Sequence, residues 1–219
     1  MTTLRAVLFD MDGTLTDSEK LWTVALDQTA ADLGGVLSEQ TRHAMVGHDM
    51  VQSIRMFLDD IGSDRPAPEV STLLIRHTAA LFAQPMPWRP GAARLLAEVR
   101  AAGLATALVT ATHRELVDMA LNTLGHDTFD AVVPGDEVDR NKPDPGPYLR
   151  AMELLDVKPA DCVAIEDSPN GSLSAVRAGV PVLVVPSETA VPAASGLTFA
   201  DSLTEVTVET LRELRRTAG

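Results

Sequence analysis

Carboxylate side chains follow two of the short apolar runs in this 219-residue chain, at the points where strands would end. Asp10 and Asp12 come after the first run, and Glu166 and Asp167 come after a later one. Because ligands of open parallel sheets bind beyond the carboxyl ends of the strands, we expect these side chains to converge. Carboxylates at close range repel one another unless a cation lies between them. The pattern therefore predicts a divalent metal ion at one edge of a sheet.

The chemistry of these side chains indicates both the metal ion and the reaction. Oxygen ligands without a nearby pair of Cys or His residues favour Mg²⁺ over Zn²⁺, so Mg²⁺ is the predicted cofactor. A carboxylate at the position of Asp10 can attack phosphorus and form an acyl phosphate, which divides one displacement into two. Asp12, two residues further on, can protonate the leaving alkoxide and then activate water. Hydrolysis of a phosphate ester is the predicted reaction.

A second group of residues has the properties needed to hold a phosphate. Gly13 lets the backbone turn sharply and approach the phosphate closely. Thr110 follows another apolar run, and together with Ala111 and Thr112 it precedes a predicted helix whose first N–H groups can bind phosphate oxygens. The alternative role for Thr110 is to cap this helix, which would place its side chain beside the same N–H groups. Lys142, one of three lysines among 18 basic residues, offers a compact positive charge to the nucleophile and to the transferring phosphoryl group.

The order of predicted elements indicates how these residues are positioned. Strands and helices alternate from Pro85 onward, which is typical of a parallel sheet covered by helices on both faces. Between Leu15 and Gln84 only helical spacing is present. The first strand must join the later ones to be stable, so the chain is predicted to have a doubly wound, Rossmann-like α/β core with an inserted all-helical cap. The predicted bounds are 1–16 and 89–219 for the core and 17–88 for the cap, with hinges near 15–17 and 84–90.

Composition and charge exclude several partners. The formal net charge of −13 disfavours nucleic acid, whose phosphates are bound by clustered basic side chains. No apolar run reaches the length of a membrane span, and the first residues do not have the pattern of an export signal. The single cysteine, Cys162, favours a reducing compartment. We expect a cytoplasmic monomer or weak dimer that binds a small phosphorylated metabolite, and neither nucleic acid nor a membrane.

Four segments resemble, in order and at familiar spacing, the motifs of the haloacid dehalogenase superfamily: Asp10–Leu15, Leu108–Thr110, Lys142–Pro143 and Ile165–Ser168. The resemblance covers essentially the whole chain. It implies that Asp10 is the nucleophile and that Asp12 is the acid/base and also offers its backbone carbonyl to Mg²⁺. It further implies that Glu166 and Asp167 hold the metal directly or through water. The helical insertion resembles the small cap of the β-phosphoglucomutase-like branch.

Residues of the predicted cap are candidates for substrate recognition. They are Glu19, Trp22, His48 and Asp49, to which the core residue Arg114 is added. Trp22 also lies on the apolar face of its helix, so packing within the cap is the stronger expectation for it.

Departures from related enzymes help to choose among activities. The β-phosphoglucomutases carry a cap histidine, and a cap arginine for a second phosphate, where this sequence has Trp22 and Met50. The segment Asp17–Trp22 instead resembles sugar-phosphate phosphatases, so phosphatase is preferred to mutase. A phosphonoacetaldehyde hydrolase would need a cap lysine, for which only Lys20 is present. A signalling module that keeps phosphate on aspartate is disfavoured by Asp12 and by the cap.

Overall fold

One parallel sheet forms the centre of the molecule. The computed structural model describes residues 3–45, 48 and 50–217. Within these residues the strands are β1 Ala6–Phe9, β2 Ala105–Val109, β3 Ala131–Val133, β4 Cys162–Glu166, β5 Val182–Val184 and β6 Leu197–Phe199. Their order is β3-β2-β1-β4-β5-β6, and every neighbouring pair is parallel. The strand order reverses between β1 and β4.

Helices cover both faces of this sheet. The helices of the described residues are α1 Glu19–Asp32, α2 Glu39–Met45, α3 Met50–Ile61, α4 Ala67–Phe82, α5 Ala92–Ala101, α6 Arg114–Leu124, α7 Gly146–Leu155, α8 Pro169–Arg177 and α9 Val208–Thr217. Val7 and Phe9 of β1 pack in the cluster that includes α5, α6 and α9, whereas Ala6 and Leu8 pack in the cluster that includes α7 and α8. Successive strand residues therefore fill opposite layers, which confirms the predicted doubly wound α/β fold.

The four helices α1 to α4 have a hydrophobic cluster of their own. It includes Leu26 of α1, Phe57 of α3 and Leu74 of α4. Phe82, at the end of α4, packs in the cluster of the sheet instead. This four-helix segment, Glu19–Phe82, corresponds to the predicted insertion.

The two chain crossings between the sheet and the four-helix segment lie side by side. The N–H of Asp17 donates to the carbonyl oxygen of Pro87 at 2.8 Å, and the N–H of Arg89 donates to that of Leu15 at 2.9 Å. The predicted hinges near 15–17 and 84–90 contain these paired residues. The domain bounds remain a prediction. No helix in the described ranges has the length and apolar character needed to span a membrane.

Some elements were missed by the sequence patterns. Helix α2, strand β6 and helix α9 were not predicted. Strand β6 has three residues and is partly exposed, so it carries little apolar alternation. Helix α9 is strongly polar and has no apolar run, although its few apolar residues do lie on one face. Ser18, which precedes α1, makes no side-chain cap hydrogen bond, and its hydroxyl donates to Asp12.

Candidate active site

The carboxylates expected at the strand ends meet at one edge of the sheet. β1 and β4 are neighbours at the point where the strand order reverses, which is where ligands bind in such sheets. Carboxylate oxygens of Asp10, Glu166 and Asp167 lie within 4.8 Å of one another, and all three residues are buried. We call these three residues the carboxylate cluster. Asp12 lies near it but directs its side chain to other partners.

Lys142 supplies positive charge to the carboxylate cluster. Its Nζ donates to Asp10 Oδ1 and Glu166 Oε1, each at 2.7 Å, and to the carbonyl oxygen of Val109 at 2.9 Å. All three ammonium donors are therefore used. Burial alone would lower the pKa of Lys142, but the charges of Asp10 and Glu166 outweigh it and hold this pKa above its ordinary value. Lys142 is thus a charged link between the ends of β1 and β4.

Glu166 is fixed by neighbours from α7 and α8. The hydroxyl of Tyr148 donates to Glu166 Oε1 at 2.7 Å, and that of Ser168 donates to Oε2 at 3.2 Å. Gly171 lets the carboxylate lie directly against the first turn of α8. A Cβ atom at this glycine would lie 2.0 Å from Glu166 Oε1. A larger residue at this position would therefore displace the carboxylate.

The net charge of the carboxylate cluster indicates whether a metal ion would fit beside it. Asp10 Oδ2 is buried and makes no hydrogen bond with the described residues. Burial raises the pKa of Asp10 well above its usual value, against the opposing charge of Lys142. Burial and the charge of Glu166 raise the pKa of Asp167 to about 8. Three buried carboxylates face one lysine, so a divalent cation would supply the missing charge, and the all-oxygen donor set suits Mg²⁺.

Asp167 packs against the turn that follows β1. Gly13 has a φ of +79°, and a Cβ atom there would lie 2.0 Å from Asp167 Oδ2. The hydroxyl of Ser187, in the loop after β5, donates to the same oxygen. Gly13 is thus needed both for its left-handed backbone conformation and for the space it leaves.

The side chain of Asp12 connects the sheet with the four-helix segment. Its Oδ1 accepts from the hydroxyl of Ser18 at 2.5 Å and from the indole Nε1 of Trp22 at 3.1 Å. Its Oδ2 accepts from the hydroxyls of Thr112 at 2.7 Å and Thr110 at 3.4 Å. Donors on both sides therefore fix the orientation of this carboxylate.

The loop after β2 is held in shape by the loop that carries Lys142. Thr110 Oγ1 accepts from the N–H of Thr112 at 3.1 Å. Asn141 donates from Nδ2 to the carbonyl oxygen of Ala111 at 3.0 Å, and its Oδ1 accepts from the N–H of Lys142 at 2.8 Å. One asparagine thus sets the spacing between the predicted phosphate loop and the lysine.

A cleft of about 180 Å³ lies between the carboxylate cluster and the four-helix segment. From that segment its walls include Glu19, Trp22, Thr23, Leu26, Arg42, Met45, His48, Met50, Ser53 and Leu74. Glu19 Oε2 and His48 Nδ1 are buried there without a hydrogen-bond partner among the described residues. A bound molecule with hydroxyl groups would satisfy both atoms.

Two residues that the sequence suggested for contact with substrate, Arg114 and Lys20, lie outside the cleft. Arg114 does not line the cleft, and this position does not favour its predicted contact with substrate: it is bound to Glu137 at 2.6 and 2.9 Å and to Asp118 at 3.3 Å. These two carboxylates, together with the carbonyl oxygen of Val132, hold the guanidinium outside the cleft. Lys20 is 79% exposed and pairs with Asp17, so it is not placed for a Schiff base. Asp49 falls outside the described residues.

Other residues line the cleft or contact the carboxylate cluster without having been singled out from the sequence. Ser187 and Glu188 follow β5, and the rule that ligands lie beyond strand ends would have found them had it been applied to that strand. Tyr148 is the single tyrosine of the chain, but nothing in its spacing marked it as a neighbour of Glu166. Arg42 comes from α2, which was not predicted.

Comparison with known proteins agrees with this geometry. Residues 7–185 match the family model of haloacid dehalogenase-like hydrolases. Protein CbbY of Rhodobacter capsulatus is 32% identical over 84% of this chain and 86% of its own length. Hexitol phosphatase A of Escherichia coli K12 is 31% identical over 83% of this chain and 82% of its own.

A solved structure extends the match to the whole fold. The crystal structure of CbbY from Rhodobacter sphaeroides in complex with xylulose 1,5-bisphosphate superposes with a TM-score of 0.85 at 30% identity. The match covers 95% of this chain and 99% of that one. Fold, strand-end residues and sequence similarity agree, and the chain belongs to the family of haloacid dehalogenase-like hydrolases.

Proposed function

We propose that this chain is a Mg²⁺-dependent phosphatase that hydrolyses a small phosphate monoester, most suitably a sugar phosphate, through an aspartyl-phosphate on Asp10. The observation that carries the proposal is the contact of Lys142 with both Asp10 and Glu166, beside an Asp10 oxygen that has no other partner. Relatives named as phosphatases at about the same length support the class of reaction.

In the first step, Asp10 Oδ2 attacks phosphorus. The new bond joins this oxygen to phosphorus as the bond to the ester oxygen breaks, and Asp12 gives its proton to the leaving oxygen. Lys142 balances the charge of the phosphoryl group, and the hydroxyl of Thr110 and the backbone N–H of Ala111 hold its oxygens. Asp10, Asp167, the backbone carbonyl of Asp12 and, directly or through water, Glu166 would hold a Mg²⁺ ion, which would supply positive charge to offset the carboxylates and the phosphoryl oxygens.

In the second step, water attacks the phosphorus of the aspartyl-phosphate. Asp12 now takes a proton from the water, the bond between Asp10 and phosphorus breaks, and inorganic phosphate and free Asp10 are formed. The same carboxylate therefore serves both half-reactions, in opposite directions.

The four-helix segment is proposed to act as a cap that closes over the substrate, with the paired crossings as its hinge. Glu19 and His48 would then contact the part of the substrate that is not the phosphate, since both contribute an unpartnered buried atom to the cleft. Closure would also exclude bulk water from the phosphoryl group.

Two other activities are less well supported. The cleft has Trp22 and Met50 where the resemblance to a phosphosugar mutase calls for a histidine and an arginine. A module that stores phosphate on Asp10 would have no use for Asp12 close to the attacked phosphorus, or for a cleft lined by the four-helix segment.

The test is release of phosphate from p-nitrophenyl phosphate with Mg²⁺ and with EDTA. Turnover should require Mg²⁺, should be abolished in Asp10→Asn and should fall roughly 10²–10⁴-fold in Asp12→Ala. Asp127→Asn, which changes an exposed carboxylate, is the matched control. Stable phosphorylation of Asp10 without turnover would favour the signalling alternative. Formation of glucose 6-phosphate from β-glucose 1-phosphate and its 1,6-bisphosphate, without free phosphate, would favour the mutase.

A further inference from the structure

We propose that the cleft selects the monophosphate of an otherwise uncharged sugar or polyol and rejects bisphosphates, with Glu19 and Glu188 as the residues that determine this specificity. The inference rests on the proposed phosphatase function and narrows its substrate class. It concerns the part of the cleft beyond the phosphate site, between α1 and the loop after β5.

Glu19 and Glu188 approach the cleft from opposite sides. Glu19 is the first residue of α1, whereas Glu188 lies in the loop after β5, and both line the cleft. Their carboxyl groups lie close enough to interact electrostatically, and two acidic groups at such range disfavour each other's ionisation. Burial, and then this contact with Glu188, raise the pKa of Glu19 to about 8. Glu19 and Glu188 therefore give this part of the cleft an acidic wall.

The carboxyl groups of Glu19 and Glu188 can form hydrogen bonds with hydroxyl groups of a substrate. Glu19 Oε2 is buried and has no hydrogen-bond partner among the described residues, so it can accept from a hydroxyl of the substrate. The apolar side chains of Leu26, Met50 and Leu74 line the same cleft and can pack against a carbon skeleton. An uncharged, hydroxyl-bearing group therefore matches both surfaces.

Cations that could hold a second phosphate are already engaged. Of the described residues that line the cleft, two are lysine or arginine, namely Lys142 and Arg42. Lys142 is bound within the carboxylate cluster. Arg42 donates to Asp27 Oδ1 at 2.6 Å and to the carbonyl oxygen of Thr23 at 3.2 Å. A second phosphate would bring about two negative charges toward the two carboxyl groups, while Lys142 and Arg42 are already bound to other groups.

The first measurement compares matched esters with the wild-type protein and Mg²⁺. The pairs are xylulose 5-phosphate with xylulose 1,5-bisphosphate, and fructose 6-phosphate with fructose 1,6-bisphosphate. We expect kcat/KM to be about tenfold higher for each monophosphate, mainly through KM. Equal or higher kcat/KM for the bisphosphates, with Mg²⁺-dependent turnover intact, would overturn the inference and leave the phosphatase proposal standing. No turnover of any ester would overturn both.

The second measurement removes the charge of the pair. In Glu19→Gln/Glu188→Gln the preference for monophosphates should shrink severalfold, whereas Asp127→Asn/Glu205→Gln, which changes the net charge equally at two exposed positions, should keep it. Glu188→Lys, a single change at an exposed position, repeats the test with opposite charge and should favour the bisphosphates relative to wild type. An unchanged preference in both cleft variants would overturn the assignment to this pair.

Discussion

The indole Nε1 of Trp22 donates a hydrogen bond to Asp12 Oδ1 over 3.1 Å, so the four-helix segment directly contacts the proposed acid/base. Trp22 also packs edge-on against Phe82, with ring centroids 6.0 Å apart. The helix-packing role expected for this tryptophan and a role at the active site are therefore combined in one side chain.

Replacement of Trp22 by Phe should separate these two roles. The variant keeps an aromatic ring against Phe82 but loses the donor to Asp12. We expect kcat for an alkyl phosphate to fall about tenfold, and much less for p-nitrophenyl phosphate, whose leaving group needs little protonation. Steady-state kinetics with both esters checks this, with Phe199→Leu, at an exposed aromatic residue outside the cleft, as control. An equal loss for both esters would point to packing alone.

The sequence predicted the fold because its signals are local. Apolar runs ending in carboxylates marked β1 and β4, and the position of Lys142 after β3 placed it at the same edge. The contact of Arg114 with Glu137 could not be predicted, since it depends on how α6 lies against the loop after β3. The pairing of Glu19 with Glu188 likewise joins residues far apart in the chain, through a packing arrangement that no local pattern encodes.

Lys142→Met should destabilise the protein as well as inactivate it. The change leaves Asp10 and Glu166 buried without their shared partner, and loss of one member of a buried ion pair costs about 3–5 kcal/mol. The free energy of unfolding in urea should fall by this amount, and added Mg²⁺ should restore part of it by replacing the lost charge. Lys158→Met, a change at a lysine outside the cleft, serves as control. Wild-type stability in Lys142→Met would contradict the charge balance described for the carboxylate cluster.

Gly13→Ala and Gly62→Ala form a matched pair of glycine substitutions. Both glycines have positive φ, +79° and +65°, so both substitutions bring backbone strain of about 1 kcal/mol. The added Cβ meets Asp167 at residue 13, whereas nothing lies within 4 Å at residue 62. We expect Gly13→Ala to lose at least tenfold in Mg²⁺ affinity by calorimetry, and Gly62→Ala to bind Mg²⁺ as wild type does. Similar affinities in the two variants would show that Asp167 can move without cost.

Arg114→Gln tests the predicted contact of Arg114 with substrate. The guanidinium is bound to Glu137 and Asp118 near the surface, outside the cleft. Its loss should leave kcat/KM for any phosphate ester within about twofold and should lower stability by no more than about 1 kcal/mol. Kinetics on a panel of phosphorylated sugars, together with urea unfolding, measures both quantities. A selective rise in KM for one sugar phosphate would show that Arg114 does contact the substrate.

Mg²⁺ binding should strengthen with pH. The pKa of Asp167 lies near 8 in the folded chain and near 3.8 when unperturbed, and burial raises that of Asp10 as well. Between these values the folded chain binds more protons than the unfolded chain, so without metal its stability falls as pH rises toward and through 8. Mg²⁺ must displace these protons, so its affinity should rise by up to roughly tenfold per pH unit for each proton released.

Calorimetry from pH 6.5 to 8.5, in buffers of different ionisation enthalpy, would count the protons released on Mg²⁺ binding. Thermal unfolding in EDTA over the same range should show a Tm that decreases with pH. Asp10→Asn removes one of the titrating carboxylates, so it should release fewer protons on binding and have a flatter affinity profile. If Mg²⁺ affinity and the Tm in EDTA were both independent of pH, the carboxylate cluster would already be ionised without the metal. The need for a divalent cation, as inferred from its charge, would then lose its main physical support.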